Sequence, residues 1–389
     1  MPEAVWNGLG WITGSFYLGG TMLLLLGLRN VLRRPVQSRA RKEGLQAVSI
    51  IIPFRNEARN LPRLFQSLSR LEKPERLTVE WLWVDDHSED DSVSLVENFI
   101  LQNVLQGKSQ ILRSEGEGKK AALKTGVYHA IHPWVLLTDA DTLWPAGRLR
   151  ALEELEITPE VRLISAAVTY TSETPWLFRM EMEALVRAGA AFIGLGRPIL
   201  CSGANLLCQR TAYLDCVEEI QNVPSPSGDD VFLMQCVTHR WGARSVKFLA
   251  NPQLSVTTKG PHTWADFFFQ RLRWASKTLY FRSGAAQAIA LFVWAIHSAY
   301  LASLVFAPWM CSAAPLPWCV SWVWKIAADV IVMRMQVPWL RQRPALRHIV
   351  IAGIFMVLYV PLLGLLAQVL SFSWKNRTYP AAYEKKMVA

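Results

Sequence analysis

The chain has 389 residues, 51% of them hydrophobic and 19% charged, with a formal net charge of +10. It is too apolar for an ordinary soluble protein and too polar for a bundle of membrane helices alone, so one soluble domain joined to several spans is expected. Arg29, Arg33, Arg34, Arg39, Arg41 and Lys42 follow directly on an apolar stretch, and no nucleic-acid-binding signature is present; the expected partner of the basic charge is therefore an anionic lipid bilayer and not nucleic acid.

Residues 5–28 are apolar and uncharged, about the length that crosses a bilayer. No charged region precedes them and no small-residue cleavage site follows, so residues 1–29 read as an uncleaved anchor and 30–46 as a basic juxtamembrane linker. The basic flank predicts that the domain after it faces the cytoplasm. The six cysteines show no CxxC and no metal-ligand spacing. Cys201 and Cys208 read as small buried residues, and a disulfide framework is not expected at this size. Many of the seventeen tryptophans lie near the ends of apolar stretches, as in an interfacial belt.

From residue 47 to 258 short β-rich runs alternate with helical stretches. The runs are "VSIIIPF", "VEWLWVDD", "WVLLTDAD", "RLISAAVTY" and "CSGANLLC"; "NLPRLFQSL" and "SVSLVENFI" have helical spacing. This order predicts an α/β domain with a mainly parallel sheet covered on both faces, its ligands beyond the carboxyl ends of the strands. Those ends carry "RNE", "DDHSED" and "DAD".

After residue 283 the chain turns apolar again. Residues 287–306 and 313–333 are long enough to span, the second carrying Lys325 and Asp329 at a spacing that lets them pair on a helix. A third stretch, 349–372, is interrupted by Pro361. Arg334, Arg341, Arg343 and Arg347 before it, and Lys375, Arg377, Lys385 and Lys386 after it, both read as cytoplasmic. One simple span cannot join two cytoplasmic ends, so either the basic tail, 373–389, lies outside or the last stretch is re-entrant or interfacial.

Four polar motifs carry candidate chemistry. In "TDADT", Asp139 and Asp141 follow a buried strand and can converge on a hard cation, Mg²⁺ or Mn²⁺, whose remaining positions phosphate would fill. In "WVDDHSED", Asp85 and Asp86 close a strand; helix capping accounts for Ser88 or Asp90 but not for two adjacent carboxylates. In "SEGEGKKAALKTG" a cation at a helix start, Lys119 or Lys120, opposes the helix dipole yet suits phosphate, although the P-loop spacing is absent. In "SGDDVFLMQC", one of Asp229 and Asp230 caps a helix and the other is free to act as a general base.

Taken in order, "IIPFRNE", "VDDHSED", "GKKAAL", "TDAD", "SGAN", "GDDVFL" and "QRLRW" resemble the membrane-attached family-2 inverting glycosyltransferases, whose nucleotide-sugar domain has the GT-A fold. "QRLRW" fits their QxxRW signature, and "SWKNRTY" resembles the tail of enzymes that glucosylate ceramide, carotenoids or related lipids, with Asn376 in place of the usual glycine. The resemblance implies that Pro53, Glu57 and Asp86 line the nucleoside pocket and Lys119 and Arg273 meet the donor. It implies that Asp139 and Asp141 hold the diphosphate through Mg²⁺ or Mn²⁺, and that Asp230 is the catalytic base. Gly203, Ala204, Asn205, Asp229, Gln270 and Trp274 would form the acceptor side. The implied reaction moves a hexose, commonly from a UDP donor, to a hydroxyl of a membrane lipid acceptor, at the cytoplasmic face of a bacterial inner membrane. A processive polysaccharide synthase of the same family is the alternative, and a scaffold with a relic fold a more distant one.

Within residues 259–283, "ADFFFQRLRWASK" forms an amphipathic helix if wound at ~100° per residue. Gln270, Arg273, Trp274 and Lys277 fall on one face, Phe268, Leu272 and Ala275 on the other. It is too polar to span and too apolar to be solvated throughout, which predicts a helix at the membrane surface, held there by the phenylalanines, with the QRLRW face roofing the site.

Overall fold

The computed structural model describes residues 3–33, 44–102, 105–225, 228–310, 316–340, 343–370, 372–374 and 377–379. Helix α1 (Glu3–Arg33) contains the apolar residues 5–28 and runs past residue 29, so Arg33 rides on the helix and not in a linker. Arg34, Arg39, Arg41 and Lys42 lie outside the described residues.

The domain after α1 contains, in order, β1 (Ala47–Phe54), α2 (Leu61–Leu68), β2 (Thr78–Asp85), α3 (Ser92–Leu101), β3 (Lys108–Arg113), α4 (Lys119–His129), β4 (Trp134–Thr138), β5 (Thr142–Leu143), α5 (Arg148–Glu153), β6 (Leu163–Ala166) and β7 (Val168–Tyr170). It continues with α6 (Trp176–Gly194), β8 (Asn205–Gln209), α7 (Arg210–Gln221), α8 (Asp229–Trp241), β9 (Val246–Leu249), β10 (Val256–Thr258) and α9 (Trp264–Ser276).

Seven strands form one sheet in the order β3-β2-β1-β4-β8-β6-β9, parallel except for β8, which runs against both neighbours. The continuous apolar runs of β1 and β2 are explained by burial on both faces. Ile51, Leu82 and Val84 join a core with Leu123 and Val237, while Ile50, Ile52, Trp81 and Trp83 join another with Leu64 and Phe99. "RLISAAVTY" divides at Ala167: β6 stays in the main sheet and β7 leaves it to pair with β10 in a small sheet ordered β5-β10-β7. In "CSGANLLC" only the second half is strand; residues 201–204 turn toward the site. Cys216 of α7 and Cys236 of α8 are joined by a disulfide, a pairing for which their spacing holds no signal.

Helices α10 (Gly284–Met310), α11 (Leu316–Arg334) and α12 (Leu346–Val369) come next, then a two-stranded ribbon of β11 (Phe372–Trp374) and β12 (Arg377–Tyr379). Lys375, Lys385 and Lys386 lie outside the described residues. With α1, these three helices are long and apolar enough to cross a membrane. Helix α1 lies along α11 because Gly10 and Gly14 leave room: a Cβ on either would come within 3.1 Å of Pro317 or 2.9 Å of Ser321. Lys325 and Asp329 do pair, Nζ to Oδ2 at 2.6 Å, and Lys325 also donates to the Gly353 carbonyl at 3.1 Å.

Pro361 does not interrupt α12; the helix passes through it, and Trp294 Nε1 donates to the Pro361 carbonyl at 3.2 Å. Helix α12 stays beside the domain along its length. His348 stacks on Trp176 at 4.3 Å, Phe355 meets Trp264 at 5.5 Å, Tyr359 donates to Glu181 at 2.8 Å, and Leu363 and Ala367 pack with Leu272.

Candidate active site

A cavity of about 1150 Å³ opens at the carboxyl ends of β1, β2 and β4 and is roofed by α9. Pro53, Glu57, Asp86, Lys119, Asp139, Asp141, Gly203, Ala204, Asp229, Asp230, Gln270, Arg273 and Trp274 all line it, so side chains far apart in sequence converge. Most come from the ends of elements, while Gln270, Arg273 and Trp274 lie along α9. Asp86 follows β2, where its Oδ1 accepts from the Gly118 amide at 2.7 Å. Gly118 has φ of +93°, a conformation that admits glycine and lets Lys119 open α4 toward the cavity. Its neighbour Asp85 accepts from the Ser88 amide at 2.9 Å and shapes the turn, so the two adjacent carboxylates have separate tasks. Glu57 holds Asn60 Nδ2 at 2.6 Å, while its amide donates to Ser92 Oγ at 2.8 Å.

Lys119 Nζ lies 2.6 Å from Asp139 Oδ1 and 3.8 Å from Asp229 Oδ2. Burial disfavours its charge, but Asp139, Asp229 and Asp230 outweigh that and hold its pKa above the usual lysine value. Asp229 and Asp230 open α8 side by side and are pushed in opposite directions. Burial raises Asp229, with Asp230 and Asp139 adding to it against Lys119. Burial also acts on Asp230, but Lys277, Lys119 and two backbone amides overcome it and hold Asp230 below the usual carboxylate range. Those amides are Gly203, donating to Oδ2 at 3.0 Å, and Val231, donating to Oδ1 at 2.8 Å; Lys277 Nζ stands 3.5 Å from Oδ1. Asp230 is therefore an oriented carboxylate, ionised at neutral pH, with acceptor capacity left on Oδ2.

Asn205 does not reach the cavity. It is buried at the start of β8, its Oδ1 accepts from Arg148 at 2.7 Å, and its amide donates to the Ala167 and Leu254 carbonyls at 3.0 and 2.8 Å. These side-chain hydrogen bonds tie the main sheet to neighbouring segments, and Asn205 is not among the residues that line the cavity. Gly203 and Ala204 of the same motif do line the cavity, and a Cβ on Gly203 would come 3.2 Å from Asp229 Oδ2.

Asp139 and Asp141 present two hard carboxylates at the cavity mouth; Thr258 Oγ1 donates to Asp141 Oδ2 at 2.9 Å. Among the described residues no group of three or more His, Cys, Asp or Glu converges as a metal site. Two carboxylates suit Mg²⁺ or Mn²⁺ when phosphate oxygens and water complete the shell, so the residues fit such an ion only together with a phosphorylated ligand.

Helix α9 places Gln270, Arg273 and Trp274 at the cavity and Lys277 follows just past its end, but Ala275, which the periodicity puts on the opposite face, lines the cavity as well. The phenylalanines divide otherwise than expected. Phe267 turns inward and stacks on Phe178 at 4.3 Å, and Phe268 packs beside Leu272 and Leu363. Phe269 and Trp264 remain exposed. Among the cavity residues that lacked a sequence signal of their own are Tyr170, Glu181, Thr258 and Arg271. Of these, Arg271 sits inside QRLRW at a position that motif leaves unspecified.

The family model described as Glycosyl transferase family 2 matches residues 49–212, and that described as Glycosyl transferase family group 2 matches residues 134–374. Among solved structures the chain is similar to the mannosyltransferase PcManGT from Pyrobaculum calidifontis, in complex with GDP-Man and Mn²⁺, at 18% identity and a TM-score of 0.56, covering 91% of this chain and 99% of that one. It is more distantly similar to S. aureus TarS in complex with UDP, at 15% identity and a TM-score of 0.41, covering 85% of this chain and 95% of that one. The glucosyl-3-phosphoglycerate synthase from Mycobacterium tuberculosis, in complex with Mn²⁺, UDP-Glc and glycerol 3-phosphate, is 16% identical with a TM-score of 0.41, covering 59% of this chain and 78% of that one. A search of curated proteins found no match. At such identities the structural likeness speaks for the fold, and the first structure shares it along most of this chain. The longer family match covers more than half of the residues, from β4 through "TDADT", "SGDDVFLMQC" and α9 to β11, and the chain belongs to glycosyl transferase family group 2.

Proposed function

We propose that the chain transfers a hexose from a nucleotide-sugar donor, commonly a UDP-sugar, to a hydroxyl of a membrane lipid, inverting the anomeric centre. One observation carries the lipid half of this reading. The cavity that holds Asp230 at its polar end continues without a break into an apolar cleft between α6, α10 and α12, lined by Val186, Phe192, Ile289, Val293, Trp294 and Leu363. A cleft with carboxylates at one end and membrane-type helices along its sides suits a substrate with a polar head and a hydrocarbon tail.

In this reading Pro53, Glu57 and Asp86 receive the nucleoside, and Lys119 and Arg273 face the diphosphate. A divalent cation bound at Asp139 and Asp141 would add neutralisation of the charge growing on the leaving group. Asp230 takes the proton of the acceptor hydroxyl as its oxygen bonds to the anomeric carbon, and the bond from that carbon to the diphosphate breaks on the opposite face. The Gly203 and Val231 amides hold the Asp230 carboxylate in place, which removes the cost of orienting it during the reaction. Trp274 and Gln270 face the acceptor.

Helix α12, which keeps contact with α6 and α9, supports an oblique or re-entrant path that leaves the tail on the same side as the catalytic domain. The basic flanks favour the cytoplasmic side of a bacterial inner membrane. The Cys216–Cys236 bond argues for an oxidising compartment instead, so labelling of Cys216 and Cys236 in intact cells, with and without reductant, tests the side.

The direct test incubates the purified full-length protein with a panel of nucleotide sugars, Mg²⁺ or Mn²⁺, and a total membrane lipid extract. A new glycolipid of inverted configuration supports the reading. A long polymer formed without added lipid overturns it in favour of a synthase, and no transfer with any donor overturns both.

A further inference from the structure

The roof of the cavity holds a buried ion pair that the proposed reaction does not use. The Arg271 guanidinium lies between the rings of Phe267, 4.7 Å away, and Trp274, 4.3 Å away. Its Nε donates to Glu181 Oε1 at 2.8 Å and its Nη2 to Glu181 Oε2, a bidentate pair in which both residues are 3% exposed. Its Nη1 donates to Gln270 Oε1 at 2.6 Å, and the same oxygen accepts from Tyr170 OH at 2.8 Å. Glu181 Oε1 also accepts from Tyr359 of α12 at 2.8 Å.

Donor and acceptor chemistry gives this pair two effects on its neighbours. Arginine only donates, so the oxygen of Gln270 must face Arg271, and its amide N–H groups are left to face elsewhere. A guanidinium on the face of an indole, fixed at its other side by two carboxylate bonds, holds that ring in one rotamer. A buried ion pair adds little net stability over apolar residues of the same volume, so global stability is a weak reason for this one.

We infer that Arg271 is a positioning residue for the acceptor side. Braced by Glu181 of α6 and Tyr359 of α12, it holds Trp274 against the cavity and turns Gln270 into a hydrogen-bond donor toward it. A membrane helix thereby sets the geometry of the acceptor site without touching the reacting atoms. The inference rests on the proposed assignment of Trp274 and Gln270 to the acceptor.

The test measures initial rates of the full-length protein against acceptor and against donor for Arg271→Lys, Glu181→Gln and Tyr359→Phe, with a melting curve for each. Lysine keeps the charge but lacks the fork and the planar stack. Arg271→Lys and Glu181→Gln should raise the acceptor KM about tenfold while the donor KM stays within about twofold. Tyr359→Phe removes one hydroxyl, leaves folding intact, and should raise the same constant about threefold. An unchanged acceptor KM in Tyr359→Phe and Arg271→Lys overturns the inference. So does a parallel rise of both KM values that tracks a lower melting temperature. If the wild type glycosylates a water-soluble acceptor and no lipid, the lipid reading fails on its own, and the same split is read on that acceptor.

Discussion

Lys119 Nζ and Asp139 Oδ1 meet at 2.6 Å, so that the first residue of α4 closes an ion pair with the end of the strand β4 across the cavity mouth. The ammonium also faces Asp229 at 3.8 Å. One cation thus tempers the mutual repulsion of carboxylates brought there from two separate segments, and in the proposed reaction it faces the donor diphosphate.

Replacing Lys119 by methionine keeps the length of the side chain and removes the charge. Turnover should fall by about 100-fold or more, the usual cost of losing a preorganised charge at a reacting group. The donor KM should rise as well, and steady-state rates over a donor titration check both.

The two carboxylates that open α8 should behave oppositely with pH. Asp230 is held below its ordinary value, so it stabilises the fold above that value, and the contribution is lost as pH falls through the depressed one. Asp230→Asn should therefore lower the melting temperature at neutral pH, by roughly 2–4 °C, with the difference vanishing in strong acid. Asp229 is held above its ordinary value, so its favourable contribution is present in acid and lost as pH rises through the raised one. Asp229→Asn should match or exceed the wild-type melting temperature at neutral pH. In activity, Asp230→Asn should abolish turnover while donor binding, read by calorimetry, survives. Near-normal turnover in Asp230→Asn would remove it as the base.

Gly27 is where α1 meets α6: a Cβ there would lie 2.1 Å from the Ala191 carbonyl oxygen. Backbone, not a flexible side chain, is in the way, so Gly27→Ala should separate α1 from α6. Loss of roughly 1–3 kcal/mol is expected, as for other overpacked sites, read as a lower melting temperature in detergent. On the same helix, a Cβ added at Gly19 would have nothing within 4 Å, and Gly19→Ala should be neutral or slightly stabilising.

The Lys325–Asp329 pair should show the asymmetry of buried charges. Lys325 is 1% exposed, and Asp329 also accepts from Tyr17 of α1. Removing the cation alone, Lys325→Met, strands a carboxylate and should cost roughly 3–5 kcal/mol. The double change Lys325→Met with Asp329→Leu should recover most of that, which melting of the four proteins of the cycle measures.

The alternation of strands and helices and the placing of polar motifs at strand ends were legible in the sequence. Burial on both faces forces unbroken apolar runs, and a cavity at strand ends forces polar residues immediately after them. The cavity face of α9 was legible for the same reason, since a helix that divides two environments writes that division at its own period. Asp85 and Asp86 were indistinguishable, because which of two neighbours turns inward depends on where the Ser88 and Gly118 amides come to lie. Asn205 carried a misleading signal, since its partners Arg148 and Leu254 arrive from distant segments.

Local pattern by itself determined the kind of fold, the membrane-type helices and the chemical types at the site, because burial and charge act on each residue wherever its partners come from. Only the tertiary structure decided which functional groups were still available. It turned Asn205 into the sheet, bonded Cys216 to Cys236, drew Phe267 inward and set Arg271 behind Trp274. The reason is physical: which donors, acceptors and charges meet is chosen by packing between segments that the sequence keeps far apart.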